Sequence, residues 1–93
     1  MRMAMIDVGF KIDEERIVQT LQEAGEKLNS AAGEVVLDFS SMRRIEASAL
    51  RALEEFAGIT DDKGIKAVLR GVNIDVYKVL KLVKLGSRFS FVH

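Results

Sequence analysis

Three apolar residues in a row, Val35-Val36-Leu37, stop at Asp38 and pass through Phe39 into two hydroxyls, Ser40 and Ser41. A strand with one wet face alternates apolar and polar residues. This one does not. So short a continuous run predicts a strand covered on both faces, as in a parallel sheet with flanking helices. Parallel neighbours cannot be joined by a tight turn, so such a chain must supply crossover helices between its strands.

The rest of the sequence supplies them. Arg2 to Val8 holds the apolar run Met3-Ala4-Met5-Ile6-Asp7-Val8, which predicts a first strand closed by Gly9. Asp13 suits a helix N-cap, with Glu14 and Glu15 placed where the helix dipole favours negative charge. Ile17, Val18, Leu21, Ala24 and Leu28 recur on one helical face. That helix is expected to fray through Asn29, Ser30, Ala31 and Ala32 and to end at Gly33. A second helix is predicted from about Ala47 to Asp62, with Leu50, Leu53, Phe56, Ala57 and Thr60 inward and Lys63-Gly64 as its stop. Ile65 to Leu69 reads as a third strand. Asn73 then caps a third helix with Val76, Val79, Leu80 and Val83 inward, and Phe89, Phe91 and Val92 form an edge strand. Gly25 and Gly58 fall inside predicted helices, where each costs about 1 kcal/mol relative to alanine and points to close packing or an irregularity.

The alternation predicts one α/β domain over residues 1–93. Its sheet is mostly parallel, with about four strands and about three flanking helices joined by right-handed crossovers. The 93 residues lie at the lower end of what buries an adequate core. With 48% hydrophobic and 30% charged residues the composition fits a globule rather than a disordered chain. Fourteen basic and fourteen acidic residues cancel, so no strong pull toward nucleic acid or anionic membrane is expected. Nothing nears the roughly 18 apolar residues of a membrane span, and Asp7, Lys11 and Asp13 interrupt any secretory leader. A cytoplasmic protein without membrane insertion is the expectation. Cysteine is absent, which removes disulfides and thiol chemistry.

Few residues could carry catalysis. Ser48 sits at a helix mouth where free backbone amides can cradle an anion, but serine there more often serves as a cap, the preferred reading. No base lies near it in sequence. His93, the one histidine, is the last residue. Asp38, at the carboxyl end of a central strand, can tie down its own loop, face a partner, or do both. Arg43-Arg44 could meet an acidic partner or a phosphate, though two adjacent arginines in a turn are commonly just solvated. Glu14-Glu15 and Glu54-Glu55 read as solvent-facing helix charges. Every glycine is isolated, so no phosphate-binding loop is present. No enzyme activity, metal or cofactor is expected.

Several segments, in order, resemble the STAS domain, the family of sulphate transporters and anti-sigma factor antagonists. Gly9-Phe10-Lys11-Ile12-Asp13 resembles its Gly-x-Leu-Asp segment, and Val35 through Ser40 its central strand ending in Asp-Leu-Ser. Ile45-Glu46-Ala47-Ser48-Ala49-Leu50 is similar to its Ile-Asp-Ser-Ser-Gly-Leu helix mouth. Lys63 through Leu69 resembles the lysine-glycine turn and next strand, and Val79 through Leu85, then Phe89, the end of the domain. The resemblance implies a non-catalytic bacterial module in signal transduction and transcription regulation. It also implies that the serine after the acidic residue accepts phosphate in switched members. Ala47 stands there, and Ala47 cannot be phosphorylated; Ser48 is the one possible substitute. Glu46 replaces the family's aspartate, so it is no phosphate mimic. The implied docking face comprises Asp38, Ser40, Ser41, Arg43, Arg44, Glu46, Ala47 and Ser48. The implied partner is a protein, either an anti-sigma factor of the serine-kinase type or the ATPase of a phospholipid-transport ABC complex. A nucleotide- or lipid-sensing role is the further alternative.

Overall fold

The computed structural model describes residues 7–28 and 33–92. The chain runs β1 (Asp7–Lys11), α1 (Ile17–Lys27), β2 (Glu34–Asp38), α2 (Ala47–Lys63), β3 (Lys66–Arg70), α3 (Ile74–Leu82), a 3-10 turn (Gly86–Arg88) and β4 (Ser90–Val92). The strands form one all-parallel sheet in sequential order, β1-β2-β3-β4. The expected four strands and three helices are present. Residues 2–6 of the first apolar run, the fraying expected at 29–32, and His93 lie outside the described residues.

Sequential order has a consequence for the layers. Each right-handed crossover to the adjacent strand lays its helix on the same side of the sheet. Among the described residues, the three helices therefore cover one face of β2 rather than both. Val35, Leu37, Ala67 and Leu69 are buried on the helical side, with Val35 facing Ala67 and Leu37 facing Leu69 in register. The opposite side carries Lys11, Asp38 and Arg70 in one register row, and Glu34 beside Lys66 in another. Val36 and Val68 form an apolar stripe between those rows. Val68 is 3% exposed and so is buried on this side too, whereas Val36 is half-buried in that stripe. This is why the run looked continuous while its burial alternates.

The core is built from Phe39, Leu53, Phe56, Ile12 and Leu80, all essentially without solvent contact. Each such aliphatic or aromatic side chain contributes about 1.5–3 kcal/mol by its burial. In α1, Ile17, Leu21 and Ala24 are buried, as is Leu28 just beyond it, and α1 packs along α2. A Cβ on Gly25 would lie 2.9 Å from Ile59 Cδ1, so the expected close packing explains that glycine. Gly58 differs: nothing stands within 4 Å of its Cβ position, and no packing reason accounts for it. Gly64 takes φ 68°, the left-handed stop predicted for α2, while Lys63 Nζ donates to Leu28 O at 2.6 Å.

Several boundaries move. Gly9 does not close the first strand; it lies mid-strand opposite Val36, and β1 continues to Lys11. Asp13 accepts from the amides of Glu15 and Arg16, which closes a turn, and the helix starts only at Ile17. Val83 is not inward but 45% exposed, because α3 ends at Leu82 and the chain turns away through Lys84 at φ 65°.

Candidate functional site

The carboxyl ends of β1, β2 and β3 all point toward the segment Ser40–Glu46, which links β2 to α2. Its centre is pinned by Met42, buried in the core with its amide bonded to Phe39 O at 2.9 Å. Two side chains from distant parts of the sequence then hold its backbone. Glu14 Oε2 accepts from the amides of Arg43 at 2.7 Å and Arg44 at 3.2 Å. Asn73 Nδ2 donates to the carbonyls of Met42 at 3.0 Å and Arg43 at 3.2 Å. The same Asn73 caps α3, its Oδ1 accepting from Val76 N at 2.8 Å. One carboxylate takes the loop's donors and one amide fills its acceptors.

The Arg43 amide, then the Arg44 amide, hold the Glu14 carboxyl below the usual glutamate range. Asp38 is likewise depressed, first by the Ser40 hydroxyl, then by the Ser40 amide at 2.9 Å, with Arg70 and Lys11 adding to the effect. Asp38 thus ties down its own loop, and it does so through Ser40. Glu14 is thus not the solvated helix charge that its sequence position predicts; it anchors the loop. Sequence carried no signal for that contact, since 29 residues separate Glu14 from Arg43. Asn73 was legible as a cap but not as a clamp.

At the mouth of α2 the N-cap is Glu46, in extended conformation and with no side-chain cap. Ser48 therefore does not cap the helix. The backbone enters the helical range at Ala47, which leaves Ser48 in the second helical position, one turn-step too late for its hydroxyl to take the cap's role. Ala47 and Ser48 are both exposed.

The expected docking residues occupy three neighbouring patches. Ser48, Arg44 and Glu46 line one polar cleft of about 290 Å³ with Glu14, on the side facing Ile17 of α1. Ala47 lies on another side, in a shallow hollow of about 240 Å³ with Leu50, Arg51, Val83 and Leu85. Asp38 belongs to the open face of the sheet, between Lys11 and Arg70. Ser40 stands against Gly71, where a Cβ would come within 3.1 Å of Ser40 Cβ; Gly71 also takes φ 71°. Ser41 and Arg43 are exposed in the turn. Among the described residues, no three Asp, Glu or His side chains gather to hold a metal.

This arrangement matches known folds. A sulfate transporter family protein from Wolinella succinogenes superposes with TM-score 0.78 at 19% identity, covering 98% of this chain and 82% of that one. A Thermotoga maritima protein described as a candidate anti-sigma factor antagonist gives TM-score 0.76 at 16% identity, covering 95% and 81%. Its NMR structure gives 0.77 at 18%, covering 98% and 77%. No curated protein sequence matches this chain. The STAS domain profile matches residues 6–92, nearly the whole sequence. The protein belongs to the STAS domain family.

Proposed function

We propose that this protein is a non-catalytic regulatory module that docks a partner protein through the amino-terminal end of α2. The partner is an anti-sigma factor of the serine-kinase type. The Thermotoga neighbour's description as a candidate anti-sigma factor antagonist supports that choice. The observation that carries the reading is Ala47, exposed at the first position of a long helix whose entry loop is held from both sides. A docking surface benefits from such fixing, because an ordered loop loses less entropy on association.

Ala47 also defines the regulation. A phosphate there would bring about −1.5 to −2 charges. Within the molecule the helix dipole favours that charge, so its effect belongs to the interface, as repulsion and desolvation against the partner. Alanine removes the acceptor, and binding at this site becomes constitutive. Asp38, Ser40, Ser41, Arg43, Arg44, Glu46 and Ser48 make up the remainder of the face. Support for a regulatory role comes from the match to the STAS domain family and from the Thermotoga neighbour. The protein is read as cytoplasmic and bacterial, acting in signal transduction.

The test is capture from the native cell with wild type, Ala47→Asp and Lys66→Gln baits, Lys66 being exposed at the start of β3. Aspartate at the first helical position favours the helix dipole, so Ala47→Asp should fold at least as well as wild type. A kinase-type anti-sigma factor held by wild type and Lys66→Gln but lost by Ala47→Asp is the expected outcome. An ABC transporter ATPase in its place would move the protein to the transport branch of the family. Incubation of the captured kinase with ATP should leave Ser48 unlabelled; label that disappears in Ser48→Ala would refute constitutive binding.

A further inference from the structure

Among the described residues, the five large apolar side chains that remain exposed all fall between residues 74 and 92. Two dominate: Leu82 is 80% exposed and Ile74 is 67% exposed. Helical geometry puts both on the outward side of α3, opposite the buried Val76 and Leu80, and about 12 Å apart along the axis. Lys78 and Lys81 lie between them on the same side, and Lys84 follows at the turn. Among the described residues none of these lysines forms an ion pair; the one salt bridge joins Arg88 to Asp61 at 2.7 Å. Asp75 is the single acid on the helix.

The charge is also uneven. Residues 74–92 hold Lys78, Lys81, Lys84 and Arg88 against Asp75, a surplus of three, in a chain whose charges cancel overall. The rest of the protein is therefore acidic by three. Arg88 is paired with Asp61, so on α3 and its exit turn Lys78, Lys81 and Lys84 outnumber Asp75 by two.

We infer that the outward face of α3 docks on an anionic lipid bilayer, lying parallel to its surface. Ile74 and Leu82 protrude and need an apolar medium; the lysines between them need anions at slightly shallower depth. An anionic bilayer presents those two layers in that order and demands no shape complementarity. Lysine stems can lie along the apolar boundary while their ammonium groups stay at headgroup level. Lys81 is already held over Tyr77, 5.6 Å from the ring centroid, and Tyr77 packs edge-on against Phe91 at 5.1 Å. A second copy fits less well: its acidic α1–α2 side would satisfy the lysines, but among the described residues α1 and α2 offer no exposed large apolar side chain for Ile74 and Leu82. Three lysines and two side chains make a weak, reversible contact, peripheral rather than inserted.

Vesicle sedimentation of the full chain tests this. With equal parts phosphatidylcholine and phosphatidylglycerol, at least about tenfold more protein should pellet than with phosphatidylcholine alone. Binding should vanish in roughly 1 M salt, where screening acts within about 3 Å. The triple variant Lys78→Glu, Lys81→Glu, Lys84→Glu should lose it. Lys11→Glu with Lys66→Glu, on the open face of the sheet, should retain most of it. Ile74→Ser with Leu82→Ser should weaken it several-fold, and since both residues are exposed this variant keeps the test open if the triple variant does not fold. No pelleting with anionic vesicles, equal binding by the triple variant, or binding to an acidic protein with none to lipid would each overturn the inference.

Discussion

The β2–α2 loop and the outward side of α3 meet at Asn73, and they are built in opposite ways. The loop is polar and tied: Glu14 holds its amides, Asn73 its carbonyls, and Met42 its centre. The helix face is untied. Its lysines pair with no carboxylate among the described residues, and its apolar ends stand in solvent. The first arrangement suits recognition of one shaped partner, because its geometry exists before contact. The second suits a surface with no fixed shape. The two proposed docking regions do not compete for the same residues.

The strongest way to break this contrast is Asn73→Ala. It removes a helix cap and two bonds to loop carbonyls, so about 2 kcal/mol of stability should be lost in chemical denaturation. A loss near zero would mean the loop is not clamped. Next comes Gly71→Ala, which forces a Cβ to 3.1 Å from Ser40 Cβ at φ 71°. It should cost about 1–2 kcal/mol and disturb the loop rather than α3.

Acid sharpens the comparison further. Asp38 and Glu14 have folded values held below their ordinary 3.8 and 4.5. Their contribution to stability is therefore complete above about pH 5 and is lost as the pH falls through the depressed values. Amide protection factors at Ser40, Arg43 and Arg44 should fall on acidification before those of Val79–Leu82. Simultaneous loosening of both regions would remove the distinction. The smallest effect belongs to the untied side: Ile74→Ser and Leu82→Ser should each shift stability by no more than about 0.5 kcal/mol, since both side chains stay mostly in water after folding. A melting temperature lowered by several degrees would show that these residues are packed after all.

Much of the fold was legible locally. Asn73 before an apolar period, Lys63-Gly64 after one, and Val35-Val36-Leu37 between two helices each follow from short-range backbone and side-chain rules. The errors are also local in origin. Gly9 looked like a strand end because glycine weakens strands, yet in the sheet it sits opposite Val36 with room to spare. Val83 fitted the helical period but the helix stopped one residue earlier. Ser48 suited a cap in type but not in place.

Local chemistry alone thus settled the order of strands and helices, the inward stripe of each helix, the stop at Gly64, and the methyl group at position 47. Those depend on neighbours within a few residues. Three matters waited for the assembled chain: that all helices share one side of the sheet, that Glu14 and Asn73 grip a loop some thirty residues away, and that a cancelling charge total separates into a basic side and an acidic one. Contacts and fields of that kind depend on which distant segments become neighbours, and only the packed sheet decides that.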